Sequence, residues 1–305
     1  MAMSLRIPGL IDIRRIAARA EIAMVAADQR FDRGFTGHGP LINRLIQRRV
    51  RNILCLKGQK LPSAAARGDA GRHAAQQRLA ARLDDPSSYP LWSKEALAEL
   101  GKAVRGEGTA RSLGVMTQEA VGRLFAADYR ADDASFRAAQ VLDAAAHTRN
   151  PIAAAIWVWT GKVARAQRLL GRLVQDDAAG VHATGIAVHN LVLGFERMRA
   201  IWAAPGLRAR LSPDAVLARC LVAPPSVLRQ ATEKGACPIG MFRPGSLVML
   251  ALEEARSATP APEIVFMAGS WARCPAATWV PEFLRAVWAE AQADQSGRGG
   301  EAGGS

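Results

Sequence analysis

Aromatic residues make up only 6% of this 305-residue chain, whereas half of its residues are apolar. Alanine, leucine and arginine are abundant, and this balance favours helices over strands. A chain of this length and apolar content is long enough to bury one large core or two small ones. The composition therefore predicts a mainly α fold with a small β component.

Cysteine is also scarce, with Cys55, Cys220, Cys237 and Cys274 widely separated and no CxxC pair among them. This spacing argues against a structural zinc site or a disulfide framework, and it fits a reducing cytoplasm. The N-terminal region is interrupted by charges, and its apolar run is short, so we predict neither a secretory signal nor a membrane anchor. A GxGxxG dinucleotide fingerprint is missing as well.

Negative charge is in deficit, which leaves a formal net charge of +13. Part of the excess lies in NRLIQRRVRN, where Arg44, Arg48, Arg49 and Arg51 are close together. A solvated helix face explains this cluster most simply, and an acidic protein or nucleic acid is the alternative. No groove-reading motif accompanies the cluster, so nucleic-acid binding has no further support.

The pattern along the chain divides it into three parts. Residues 1–65 form an N-terminal segment whose structure the pattern does not assign. Residues 66–292 are mostly helical, and residues 293–305 form a tail without a hydrophobic pattern that we predict to be disordered. Within the middle part, the segment Ala178–Phe195 carries no charged residue and repeats apolar residues at helical spacing. Its polar residues favour a helix buried in a large domain over a membrane span.

The stretch FMAGSWARCPAATW, residues 266–279, sets Cys274 behind a glycine-containing run and ahead of a helical segment. Read alone, this cysteine is a buried core thiol, a reactive nucleophile or a metal ligand. His182 and His189 lie about 10 Å apart along their helix, which is too far to share one metal ion.

Three features occur in a set order: the uncharged helix with Ala-Gly-x-x-x-Thr (179–184), the segment APPSVLRQAT before a Pro-Gly turn and a strand, and the cysteine stretch. This order resembles the C-terminal half of the cytochrome P-450 family of heme-thiolate monooxygenases, from about residue 169 to 291. The resemblance implies a truncated cytochrome P-450-like helical fold that holds heme b, with the thiolate of Cys274 on the iron.

The resemblance also implies roles for individual residues. Phe266 and Gly269 match the loop before the cysteine, and Arg229, His73, Arg78 and Arg273 match basic groups near the heme propionates. Thr184 and His182 stand where the family delivers protons. The family also implies oxygen insertion into a small apolar substrate, with electrons from a separate donor such as an acidic ferredoxin.

Several family features are changed in this chain. The acid-threonine pair is replaced by His182 and Ala183, and Val216 stands where Glu-x-x-Arg requires a glutamate. Ala276 replaces the glycine after the cysteine, one extra residue separates Gly269 from Cys274, and the chain is short. These changes leave a second interpretation open, in which a degenerate relative acts as a scaffold or activating partner of another enzyme.

Overall fold

A computed structural model of the chain describes residues 3–83, 92–148, 156–255 and 262–298. Its helices, in chain order, are α1 (Arg19–Ala27), α2 (Leu41–Ile53), α3 (Ala70–Leu83), α4 (Lys94–Arg105), α5 (Leu113–Gly122), α6 (Asp133–His147), α7 (Lys162–Leu173), α8 (Ala178–Trp202), α9 (Pro205–Arg208), α10 (Pro213–Cys220), α11 (Leu252–Ala255), α12 (Pro262–Val265) and α13 (Val280–Arg298). Its strands are β1 (Met3–Ile7), β2 (Ile11–Ile16), β3 (Phe31–Asp32), β4 (Cys55–Leu56), β5 (Gln59–Lys60), β6 (Val227–Ala231), β7 (Gly235–Cys237), β8 (Gly240–Phe242) and β9 (Leu247–Leu250). The predicted class, mainly α with a small β component, is confirmed.

The main sheet joins the two ends of the chain. Its strand order is β1-β2-β9-β6-β3, with β2 and β9 parallel and the other neighbours antiparallel. The predicted turn at Pro244 and Gly245 leads into β9, and Gly245 has a φ of +84°, which favours glycine. Because β2 and β3 pair with C-terminal strands, residues 1–65 share a sheet with the rest of the chain. The division of the chain at residue 65 stays a prediction from the sequence.

Helix α8 passes between two hydrophobic clusters and contributes to both. Val188 and Phe195 belong to the larger cluster, and Val181 belongs to the smaller one. All three side chains are fully buried. In the described part of the chain, α8 is the helix long and apolar enough to cross a membrane, and 50% of its most apolar window is buried. The predicted buried helix is present and extends to Trp202.

The middle of α8 is a π-helical turn, Ala183–Ala187, between α-helical segments Ala178–His182 and Val188–Trp202. Glycines allow this region to pack closely: a Cβ on Gly185 would lie 2.8 Å from a Leu142 methyl and 2.9 Å from a Leu170 methyl. A π-helical turn inside an α-helix commonly marks a functional position. The turn contains Thr184 and directly follows His182.

The last helix also differs from the sequence prediction. Residues 293–298, assigned to a disordered tail, continue α13 to Arg298. Polar residues can extend a helix that is already nucleated by a buried apolar face, here Phe283, Val287 and Ala291, each at 0% exposure. The remaining tail residues lie outside the described part.

Candidate heme-thiolate site

The cysteine stretch forms a closed loop between α12 and α13. The backbone N–H of Cys274 donates to the carbonyl of Phe266 (2.8 Å), which brings the two ends of the loop together. Phe266 anchors the loop in the larger hydrophobic cluster at 6% exposure. Gly269 has a φ of +82°, and the space beside its Cα is open. The loop therefore holds Cys274 in a fixed position with little side-chain bulk at Gly269.

Cys274 is directly followed by a 3-10 turn, Pro275–Thr278, that leads into α13. Burial raises the pKa of its thiol, while a hydrogen bond from the backbone N–H of Ala276 and the positive charge of Arg33 act in the opposite direction. The protein alone thus favours the neutral thiol but already supplies one donor and one cation for the thiolate. A bound metal ion would ionise the sulfur outright.

Three arginines from distant parts of the sequence surround Trp271, which lies in the same loop. Arg33 follows β3, Arg72 lies in α3, and Arg229 lies in β6. Their guanidinium carbons lie 4.9, 4.8 and 5.8 Å from the Trp271 ring centroid, respectively. Arg72 also donates to the backbone carbonyl of Trp271. We call Arg33, Arg72 and Arg229 the arginine cluster.

The arginine cluster is short of negative charge. Among the described residues, none of its members forms a salt bridge, and Asp32 is the common nearby carboxylate. That carboxylate already accepts from the backbone N–H groups of Arg33 (2.6 Å) and Arg67 (3.1 Å). Burial lowers the pKa of Arg229 to about 10, and it lowers the pKa of Arg33 with help from the other two guanidinium groups.

Hydrogen-bond donors at the same place lack acceptors. Within the described part of the chain, the Nε atoms of Arg33 and Arg229 and the Nε1 atom of Trp271 are buried without a hydrogen-bond partner. A buried donor without an acceptor costs about 1–3 kcal/mol, and more when it is charged. These unpaired donors, together with the excess positive charge, match a ligand that carries two carboxylates, as heme does. The residues present therefore fit heme: the arginine cluster would hold the propionates, and Cys274 would hold the iron.

His182 borders the same region from the central helix. Burial lowers its pKa to about 4, and the next contribution is the positive charge of Arg33, the residue that also influences Cys274. His182, Cys274 and Arg33 are only half-buried by surface area, although desolvation is the main cause of each pKa shift. We call the region that these three side chains border the recess.

Thr184 lies in a different environment. Its side chain has 0% exposure, and its hydroxyl donates to the carbonyl of Gly180 (2.8 Å) within the same helix. The side-chain amide of Gln118 donates to the backbone carbonyl of Thr184 (3.0 Å), which helps to hold the π-helical turn open. The predicted pair is therefore separated: His182 lies toward Arg33, and Thr184 is packed among polar side chains.

The other predicted propionate residues lie at the surface. His73 and Arg78 are exposed on α3, where Arg78 approaches Asp177 at 3.4 Å, and Arg273 is exposed beside the cysteine. The structure brings Arg229 into the arginine cluster but none of these three. It adds Arg33 and Arg72, which the sequence analysis missed.

Comparisons with known proteins agree with this geometry at the level of the fold. No protein-family model matches this sequence, and no curated protein matches it significantly. Among solved structures, cytochrome P-450EX alpha (CYP152N1) with myristic acid matches with a TM-score of 0.57 and 14% identity, over 94% of this chain and 82% of that chain. The chain has the cytochrome P-450 fold.

Two further cytochrome P-450 structures support that assignment. A cytochrome P-450DA heme-domain mutant has a TM-score of 0.57 at 13% identity, over 95% of this chain and 82% of its own. P-450BioI, in complex with hexadec-9Z-enoic acid ligated acyl carrier protein, has a TM-score of 0.54 at 14% identity, over 93% and 84%. The predicted resemblance to cytochrome P-450 is confirmed. This chain is shorter than the chains of these structures.

Proposed function

We propose that this chain is a heme-thiolate oxidoreductase that inserts oxygen into an apolar substrate. The observation that carries the proposal is the convergence of Cys274 and the arginine cluster on one recess, with buried donors that lack acceptors. Heme b, when bound with a cysteine thiolate, supplies the activation of oxygen that such a reaction requires.

The chain's own residues have distinct tasks in this proposal. Arg33, Arg72 and Arg229 bind and orient the two propionates, because charge-assisted hydrogen bonds to carboxylates are strong and directional. Cys274 provides the thiolate, and the N–H of Ala276 stabilises its charge. His182 is neutral near pH 7 because its pKa is about 4. One imidazole nitrogen can then accept a hydrogen bond from a protonated donor while the N–H of the other nitrogen donates into the recess, so that the ring passes a proton on without net loss or gain.

The substrate class is inferred from the similar structures, and the electron donor is inferred from the charge of the chain. Two of the similar structures contain fatty-acyl compounds, which supports an apolar chain as the substrate class. An acidic ferredoxin would suit the net charge of +13 and the exposed Arg273. The four free cysteines suit a cytoplasmic location.

A second candidate function rests on one observation. The hydroxyl of Thr184 is committed to Gly180 and the acid before it is missing, so the usual proton-delivery pair is not available. A chain of this kind could retain heme, or only the fold, and serve as a scaffold or activating partner of another enzyme.

Spectroscopy followed by turnover separates these functions. The purified protein should bind heme and, after reduction and addition of carbon monoxide, show the red-shifted Soret band of a thiolate-ligated heme. Failure to retain heme after reconstitution would refute the enzyme proposal. A red-shifted band without product, tested with a ferredoxin system and with peroxide on fatty-acid probes, would favour the scaffold.

A further inference from the structure

An apolar surface lies on the N-terminal β1–β2 hairpin and the adjoining helix α2. Leu5, Ile7 and Leu10 on the hairpin are 51%, 46% and 39% exposed, and Leu41 and Leu45 on α2 are 47% and 57% exposed. We call these five residues the apolar edge. Among the large apolar side chains exposed by the described residues, more than half belong to it.

Backbone hydrogen bonds place the two parts of the apolar edge, the hairpin and α2, next to each other. The N–H groups of Leu41 and Ile42 donate to the carbonyls of Gly9 and Leu10 (3.1 and 2.9 Å), so the start of α2 adjoins the hairpin turn. Leu41 and Leu45 are one helical turn apart on the same face of α2. Leu5 and Ile7 share one face of β1, because strand side chains alternate.

Polar contacts on the opposite face of α2 fix its orientation. The side chain of Asn43 bonds both backbone groups of Asp12 (3.1 and 2.7 Å) and the carbonyl of Gly245 (2.8 Å). Gln47 bonds the N–H of Gly37 (2.7 Å) and the carbonyl of His38 (2.8 Å). Both side chains have 0% exposure. Their hydrogen bonds therefore fix α2 in an orientation that leaves Leu41 and Leu45 facing solvent.

The exposed charged side chains of the hairpin and of α2 are positive, and the acid of the hairpin, Asp12, is buried at 5% exposure. Arg6 on the hairpin and Arg44 and Arg48 on α2 are exposed. From Arg33 to Gly68 the sequence contains no aspartate or glutamate. An exposed apolar surface surrounded by cations, without acidic residues on its helix, matches the chemistry of an anionic lipid surface.

We propose that the apolar edge binds the surface of an anionic lipid bilayer, with Leu41 and Leu45 entering the interface and Arg44 and Arg48 contacting lipid headgroups. The attachment is peripheral, through side chains at the surface of the described part of the chain. This inference does not depend on heme, because every residue that carries it lies outside the arginine cluster and the cysteine loop. A second copy of the chain and an acidic protein are the competing occupants.

The test is flotation of the full-length purified chain with vesicles of phosphatidylcholine containing roughly a third phosphatidylglycerol, compared with vesicles of phosphatidylcholine alone. We expect binding to the anionic vesicles that decreases as salt is raised. Leu41→Ser with Leu45→Ser should weaken binding about tenfold, because apolar burial is lost. Arg44→Gln with Arg48→Gln should weaken it by about tenfold or more, and only for anionic vesicles.

Matched controls are available elsewhere on the surface. Leu193→Ser with Met241→Ser removes two side chains of similar exposure, 45% and 51%. Arg168→Gln with Arg172→Gln removes two exposed cations with the same spacing on α7. Neither control should change binding by more than about twofold, and thermal melting establishes that each variant is folded.

Three results would overturn the proposal. Wild-type protein that stays with the unbound fraction at low salt would refute membrane binding. Equal losses in the leucine variant and its control would remove the assignment to the apolar edge. A wild-type dimer in solution that the leucine variant converts to a monomer would identify a second copy as the occupant.

Discussion

The two sides of the candidate heme recess differ in how many of the site residues expected from the cytochrome P-450 resemblance they contain. The cysteine side holds the sulfur of Cys274, the backbone N–H of Ala276 that donates to it, and the three guanidinium groups of the arginine cluster. On the side of the central helix, the π-helical turn is present, but His182 replaces the acid and the Thr184 hydroxyl bonds within its own helix.

This difference indicates that heme binding constrains the residues of the recess more strictly than proton delivery does. Binding a dianionic cofactor requires buried cations, and buried cations without a salt-bridge partner destabilise the protein, so they are difficult to explain without an anionic ligand. Proton delivery is more adaptable, because any titratable group at suitable distance can perform it. The molecule therefore supports heme binding more strongly than it supports one particular oxygen chemistry.

Among substitutions on the two sides of the recess, we expect the largest effect on the heme spectrum at Cys274. Cys274→Ala should eliminate the red-shifted Soret band of the reduced carbon monoxide complex, because no thiolate remains to bind the iron. Cys237→Ala is the matched control, since that cysteine is also half-buried and lies in the β7–β8 hairpin. If the band persists in Cys274→Ala, another residue is the ligand.

Arg229 should give opposite effects on heme binding and on the stability of the apoprotein. Arg229→Leu should lower heme affinity roughly 30-fold or more, because a buried charge pair loses one partner. The same change should stabilise the heme-free protein by about 1–3 kcal/mol, since an unpaired cation at 1% exposure is removed. Heme titration and urea unfolding of the apoprotein measure the two effects.

Arg72 allows a second test of propionate binding, because exposed residues on the same helix serve as matched controls. Arg72→Gln should also lower heme affinity, while His73→Gln and Arg78→Gln, exposed on the same helix, should not. Loss of affinity in all three variants would indicate damage to α3 instead of loss of a propionate contact.

The sequence predicted the fold class, the central helix and the strand after Pro244, because these depend on local patterns. Apolar residues at helical spacing identify α8, and a Pro-Gly turn before an apolar run identifies β9. The resemblance to the cytochrome P-450 family also directed attention to Cys274 and Arg229, which the structure places in one region.

The positions of Arg33 and Arg72 beside Arg229 required tertiary information. Arg33 lies beside Arg229 because β3 pairs with β6, with Phe31 opposite Ala231 and Asp32 opposite Gln230. A pairing of strands about 200 residues apart has no local signal, and β3 is only two residues long. For Arg72 the missing information was the helical face: Arg72 is 6% exposed, whereas His73, one position later, is exposed to solvent.

His182 should make the stability of the apoprotein depend on pH. Its pKa is about 4 in the folded protein against an ordinary value of 6.5, so the unfolded chain binds the extra proton first as the pH decreases. Stability attributable to this group is therefore complete above pH 6.5 and is lost progressively toward pH 4. The loss should reach about 2 kcal/mol near pH 5.

His182→Gln should remove this part of the pH dependence. Wild type and variant should have similar stability at neutral pH, apart from a constant packing difference, and the variant should become relatively more stable as the solution is acidified. Urea unfolding at several pH values measures the difference. A constant difference from neutral pH to about pH 5 would show that His182 is not desolvated, and it would weaken its assignment to the recess.

Thr184 should give the smallest effect, and it distinguishes the two sides of the recess most directly. Thr184→Val keeps the shape of the side chain and removes only the hydroxyl, whose bond to the Gly180 carbonyl lies within the helix. We expect a change of about 1 kcal/mol or less in unfolding free energy and an unchanged carbon monoxide spectrum. If the chain oxidises a substrate, the yield of product per electron consumed should also stay within about twofold of wild type, because the hydroxyl is fully buried and bonded to the Gly180 carbonyl. A large increase in uncoupled peroxide release would mean that the Thr184 hydroxyl leaves Gly180 when heme is bound, and that the central helix retains more of the family's proton delivery than its sequence indicates.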